Sequence, residues 1–277
     1  MQAVRLGVLA LVLLSAASLG AHDLQPLIAP YLAVAPTIDG DLTEWSGSDF
    51  VQVDPQTGVF DAESGTTDDA ADLSFSFAVA NDDRYLYVAV RIVDDVLVLD
   101  SNRDPSDRFA RAWMDDAIEI FLDGDHSHSP NARDRAGVEF ETGGEFAVVA
   151  NGAVTSDQSG VPGTGGDPEF WEASGSYDAP SGAAYQSPWD TEAGGFAVEA
   201  RLSFRLMGPE VGPGSRIGFT ISAHDDDDGD NRDAALYWKG ISPSAWKDES
   251  GWGDLILSDP STAVESTTLG QIKEPRR

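Results

Sequence analysis

The chain contains no cysteine, so no disulfide can brace it. Small exported domains that bury too little apolar surface depend on such braces. This chain, with 277 residues and 41% hydrophobic composition, can fill one large core without them. Basic residues are also scarce: 17 Lys and Arg against 48 Asp and Glu leave a formal net charge of −31. A surface so negative repels phosphate backbones and anionic headgroups, which argues against nucleic acid, polyanionic glycans and acidic membranes as partners. Long apolar runs are missing as well. The run Leu6 to Leu14 is too short to cross a bilayer core of roughly 30 Å as a helix, and no later stretch suits membrane insertion.

That short run has another reading. Arg5 precedes it and small residues follow from Ser15 to Ala21, the layout of a cleaved signal peptide. The expected organisation is a signal over residues 1–20, one domain over 21–258 and a flexible polar tail over 259–277. The mature protein is then secreted or periplasmic. The acidic excess itself has three readings: solubility in a saline habitat, divalent-cation binding, or ordinary solvation.

Period-2 patterns dominate what is there. Leu73-Ser-Phe75-Ser-Phe77-Ala-Val79 alternates apolar and small polar residues, and Asn81-Asp82-Asp83 turns the chain into Tyr85–Val93, which together predict a β-hairpin. Strand-like segments continue at 117–122, 137–142, 146–150, 196–204, 217–223, 235–238 and 255–257, separated by Gly, Asp, Pro or Ser. No stretch holds a helical period. The pattern predicts an all-β, antiparallel β-sandwich of jelly-roll or immunoglobulin-like type, in a single domain. Residues 151–194 are rich in Gly and Ser yet hold Phe170, Trp171, Tyr177, Tyr185 and Trp189, which predicts a strand near Trp171 followed by an ordered loop.

The most informative stretch runs from Trp113 to Asp123. If Ile118, Ile120 and Leu122 face the core, Glu119 and Phe121 face away from it. An acid in mid-strand is unusual, and a carboxylate beside a tryptophan is what sugar recognition requires. The carboxylate accepts hydrogen bonds from hydroxyls, while an indole covers an apolar sugar face. Glu119 as a plain solvent-facing residue is the competing reading.

Several segments in order carry a resemblance. They are Ile38-Asp39-Gly40 with Trp45, the Leu73–Val93 hairpin ending in Asp94-Asp95, and Trp113-x-x-Asp116-x-x-Glu119-Ile-Phe-Leu-Asp123. Gly195-Phe-Ala-Val198-Glu199, Ile217-Gly-Phe219, the Asp225–Asp230 cluster, Trp246 and Trp252-Gly-Asp-Leu255 follow. Together they resemble the family 9 carbohydrate-binding modules, within the DOMON-like sandwich group. The resemblance implies a noncatalytic module that clamps a sugar end between Trp113 and Trp246, with Glu119 in polar contact. It also implies ligands drawn from oligosaccharide or polysaccharide ends, and a glycoside hydrolase partner, expected here as a separate protein. Two departures stand out. Where sugar binders offer an arginine on the neighbouring strand, the alignment gives Glu139-Phe140-Glu141, and an expected asparagine is lost in Ser242-Pro243-Ser244.

Structural calcium belongs to the resemblance too. The run His224-Asp225-Asp226-Asp227-Asp228-Gly229-Asp230 offers oxygen ligands, but aligning Gly229 with the sixth EF-hand position puts Ala235 where the bidentate acid belongs. A nonstandard site using Asp225, Asp227, Asp228 and Asp230 is the expectation, with Asp39, Asp41 and Asp61 as further candidates. Nucleophile elbows, zinc-protease and phosphate-loop motifs are all missing. His126 and His128 could hold a metal, although exposed turn residues are the simpler reading. Two alternatives stay open: a structural or adhesion sandwich without the sugar site, and a haem-binding DOMON-type cytochrome.

Overall fold

The structure, a computed structural model, describes residues 25–67, 69–98, 112–129, 142–149, 154–157, 170–175, 189–190, 195–229 and 231–262. The proposed signal, Glu139–Glu141 and Asp230 lie outside the described residues. The first strands are β1 Leu27–Ala29, β2 Val51–Val53, β3 Val59–Phe60, β4 Leu73–Asn81, β5 Tyr85–Asp94 and β6 Val96–Leu97. Then come β7 Ala117–Asp123, β8 Gly143–Val149, β9 Val154–Asp157, β10 Trp171–Gly175 and β11 Trp189–Asp190. The last are β12 Ala197–Ser203, β13 Arg216–Asp225, β14 Ala234–Tyr237 and β15 Gly253–Leu257. Helical structure among the described residues is limited to short 3-10 turns.

The expected hairpin is β4–β5, and Asp82 sets its turn. One carboxylate oxygen accepts from the amides of Arg84 (2.7 Å) and Tyr85 (2.8 Å), the other from the Tyr87 hydroxyl (2.7 Å). This hairpin lies inside a five-stranded sheet, β10-β12-β5-β4-β2. The second sheet runs β1-β15-β13-β7-β8-β9, with β14 joined to β13 and β3 to β14. Pairing is antiparallel except for β1 on β15, a parallel pair at the sheet edge, and a separate β6–β11 ribbon completes the set.

The two sheets sandwich one core, in which Phe77 meets Phe219 and Trp238, and Trp171 meets Phe146 edge-on. Trp171 opens β10, where a strand was expected, and lies in the core. The outer faces are covered as well. On the five-stranded sheet, Leu42 and Trp45 pack over Tyr85, Tyr87 and small alanines. On the larger sheet, Ala245 and Trp252 pack over Phe121 and Tyr237. The expected alternation in β7 holds, but the outward residues are buried under this second layer rather than facing water.

The strand expected at 146–150 is β8, which starts earlier, at Gly143; of the anticipated 137–142 strand only Thr142 is described. A 3-10 turn at Pro260–Thr262 opens the segment expected as a flexible tail, of which residues 263–277 lie outside the described residues.

Candidate functional site

Antiparallel register assembles a row of outward side chains on the larger sheet. Glu119 of β7 lies opposite Ser222 of β13, which lies opposite Tyr237 of β14. One pleat along, Phe121 lies opposite Glu145 of β8. Because side chains alternate, Glu119, Phe121 and Glu145 share a face. Glu119 itself pairs with Ala147, so the neighbouring-strand position is taken by a small residue and not by Glu139–Glu141.

Two loops deliver the indoles. Trp113 sits in a 3-10 turn just before β7 and is 41% exposed, a poor fit to a packing role. Trp246 follows Ala245 in the segment between β14 and β15. Trp252 fixes that segment by donating its indole N–H to the Ala245 carbonyl (2.7 Å), and Trp246 rests half-buried against the same cluster. Trp113, Glu119 and Trp246 thereby line one cleft of about 180 Å³, together with Glu63, Glu145 and Arg232. Three glutamates and one arginine leave a cluster rich in acceptors, with a single guanidinium as donor.

Arg232 was not singled out by sequence. Its guanidinium lies 5.5 Å over the Trp113 ring, and one nitrogen is 3.9 Å from Asp61, which is buried. Asp61 also accepts from the Glu63 amide (3.0 Å), so it orients two cleft residues. Burial raises its carboxyl above the ordinary range, against the pull of Arg232. Ser242, in place of the expected asparagine, accepts from the Ala62 amide (3.2 Å) and holds the same loop.

His224 is fully buried, and burial, reinforced by Arg232, pushes its imidazole down to about 3. Its Nδ1–H donates to the Trp113 carbonyl (3.0 Å), which ties the turn carrying that indole to β13. Its Nε2 lies 3.1 Å from Glu119 Oε2 and 3.2 Å from the Ser222 hydroxyl.

A profile of the carbohydrate family 9 binding domain-like family matches residues 38–260. The chain belongs to this family. Its fold is similar to a family 9 carbohydrate-binding module from Caldicellulosiruptor kristjanssonii, solved with cellotriose. That match has 20% identity and a TM-score of 0.58, and covers 90% of this chain and 100% of that one. A structure of a family 9 module from the same organism, solved with glucose, gives 20% identity and a TM-score of 0.57, covering 84% and 96%. Among curated proteins, endo-1,4-beta-xylanase A of Thermotoga maritima is 26% identical over 223 residues, 80% of this chain and 17% of that protein. Exoglucanase XynX of Acetivibrio thermocellus is 23% identical over 250 residues, covering 89% and 19%. The chain thus spans less than a fifth of the length of either.

The acidic residues of this family member fall into separate places. Asp39 and Asp41 belong to the lead-in turn: Asp39 accepts from the Asp41 amide (2.9 Å), and Asp41 caps the next 3-10 turn through the Thr43 amide (3.0 Å). Buried Glu199 holds that turn, accepting from the Trp45 indole (2.7 Å) and the Gly40 amide (2.9 Å). Asp225 and Asp227 lie elsewhere, beside residues not anticipated as ligands. Asp94, Asp116 and Asp225 are buried with carboxylate oxygens within 4.8 Å of one another, and Asp227 approaches both Asp94–Asp95 and Asp72–Asp225.

Asp116 is also a lace, accepting from the amides of Val98 and Asp226. One oxygen each of Asp94 and Asp225 is buried without a hydrogen-bond donor. Burial, then mutual repulsion, raises Asp225 to about 9 and Asp116 well above its ordinary range; burial raises Asp94 to about 8. Such a set needs protons or a cation, and its all-oxygen donors fit a hard divalent ion. Asp228 is exposed, with its amide turned to Asp226 (3.3 Å).

Proposed function

We propose that this chain is a noncatalytic carbohydrate-binding module that holds a sugar end between Trp113 and Trp246, with Glu119 accepting from its hydroxyls. The observation that carries this is the convergence of the three residues on one cleft from positions far apart in sequence. The cleft volume of about 180 Å³ corresponds to about six waters. It is below the roughly 300–1,000 Å³ of sites that engulf drug-sized ligands, which favours one terminal sugar ring over a long chain segment. Arg232 supplies the cationic donor for which the neighbouring strand has only Ala147 and Glu145.

The similar structures solved with cellotriose and glucose support glucose and short β-linked oligosaccharide ends as the first candidates. The xylanase and exoglucanase relatives support a place alongside glycoside hydrolases. Arg5 and the Leu6–Leu14 run support export to the periplasm or the medium. For Asp94, Asp116 and Asp225, with Asp227 alongside, we propose a structural calcium ion that stitches the ends of β5 and β13 to the start of β7. Its donor set and its uncompensated buried oxygens support this ligand type.

Titration calorimetry with glucose, cello- and xylo-oligosaccharides, in calcium, tests the reading. Binding of one ligand per chain is expected for at least one sugar. A folded protein that is silent to the whole panel contradicts it and favours a structural or adhesion domain.

A further inference from the structure

A second cluster lies beyond the other end of β7 and takes no part in the cleft. After Asp123 the chain turns into His126-Ser127-His128, and both histidines adopt left-handed backbone angles (φ 54° and 52°) that non-glycine residues seldom take. They are half-buried, where exposed turn residues were the simpler expectation. Their Nε2 atoms lie 2.9 Å apart, and His126 Nε2 is 2.7 Å from Asp254 Oδ1 at the start of β15. Two imidazole nitrogens facing each other at that distance are placed to share one metal ion.

We propose that His126, His128 and Asp254 form a site for a transition-metal ion, with zinc as the best match. Two imidazoles, a carboxylate and an open fourth position form a familiar zinc donor set, and imidazole favours zinc, copper or nickel over calcium. The surroundings fit. His128 Nδ1 is 3.4 Å from the Glu249 carbonyl, and Asp254 Oδ2 accepts from Arg216 (2.9 Å). Ligating histidines and carboxylates are held by outer partners of these kinds. The loop is anchored independently, because Glu249 accepts from the Ser127 hydroxyl (3.0 Å) and the Ser129 amide (3.1 Å). Metal–ligand bonds of 2.0–2.1 Å put tetrahedral donors about 3.3 Å apart, so the His126–His128 and His126–Asp254 separations of 2.9 and 2.7 Å need to open by roughly half an ångström. The bound ion staples the 126–128 loop to the segment leading from Trp246 into β15.

The test uses tag-free protein, stripped with chelator and then saturated with calcium to occupy the acidic cluster. Zinc titration is expected to show one ion per chain, and cobalt substitution to give the visible absorption of a tetrahedral site. His126→Gln and His128→Gln should each weaken zinc binding by roughly 10-fold or more and abolish the cobalt absorption. Their melting temperatures in chelator should match that of the parent, which separates loss of metal from loss of fold. No zinc uptake by the parent in calcium, or uptake that survives both substitutions, overturns the proposal. Neither result depends on whether the cleft binds sugar.

Discussion

Glu119 sits in mid-strand, where acids are disfavoured, because His224 and Ser222 receive it from the adjacent strand. The same histidine fixes the turn that bears Trp113, so one buried imidazole orders two of the three proposed sugar contacts. Stacking contributes about 1 kcal/mol per ring beyond burial, which is about fivefold in affinity. Trp113→Ala and Trp246→Ala should therefore each weaken oligosaccharide binding at least about fivefold in calorimetric titrations. Trp113→Ala should leave the melting temperature nearly unchanged, since that indole is 41% exposed. These three residues were legible because a family pattern gives them a fixed order in sequence. Arg232, Glu145 and Glu63 were not. Glu145 reaches the cleft through the β7–β8 register, and Arg232 through a loop placed by Asp61, neither of which local sequence encodes.

At the scale of elements, the hairpin 73–93 was readable because strict alternation and an Asp-rich turn act locally. The parallel pairing of β1 on β15 was not, since it joins opposite ends of the chain. The covering of β7 was also hidden: alternation predicts which residues point outward, but not that Ala245 and Trp252 return to bury them. That covering segment is the mount for Trp246. Trp252→Ala should cost about 3–5 kcal/mol in chemical denaturation, the usual range for losing a buried aromatic. It should also weaken sugar binding although Trp252 does not line the cleft. Unchanged sugar affinity in a folded Trp252→Ala protein would show that Trp246 is held by other means.

For the molecule as a whole, a few of the 48 acidic residues are buried, Asp94, Asp116 and Asp225 among them. Unfolded aspartates titrate near about 3.9. In the fold, Asp94 and Asp225 hold their protons up to about 8 and about 9. Between these limits the folded state binds more protons than the unfolded one, so stability must fall as pH rises from about 4 to about 9. The proposed calcium ion would replace those protons. Thermal melts in chelator should therefore drop steadily from pH 5 to pH 9, while melts in millimolar calcium should be nearly flat. A flat profile in chelator would remove the case for a calcium site at Asp94, Asp116 and Asp225. The Asp-rich run suggested a cation site in the sequence, but Asp94 and Asp116, the carboxylates that meet Asp225, come from the end of β5 and the approach to β7, and only the assembled sheets bring them together.

In the proposed module two particular indoles, Trp113 and Trp246, grip the sugar. The most direct measurement follows the indole N–H resonances of the isotope-labelled protein as cellotriose is added. The signals of Trp113 and Trp246 should move in step with saturation, while those of Trp45, buried on the outer face of the other sheet, and Trp171, buried in the core, stay in place. Shifts confined to other tryptophans, or none in a protein that calorimetry shows to bind, would contradict it.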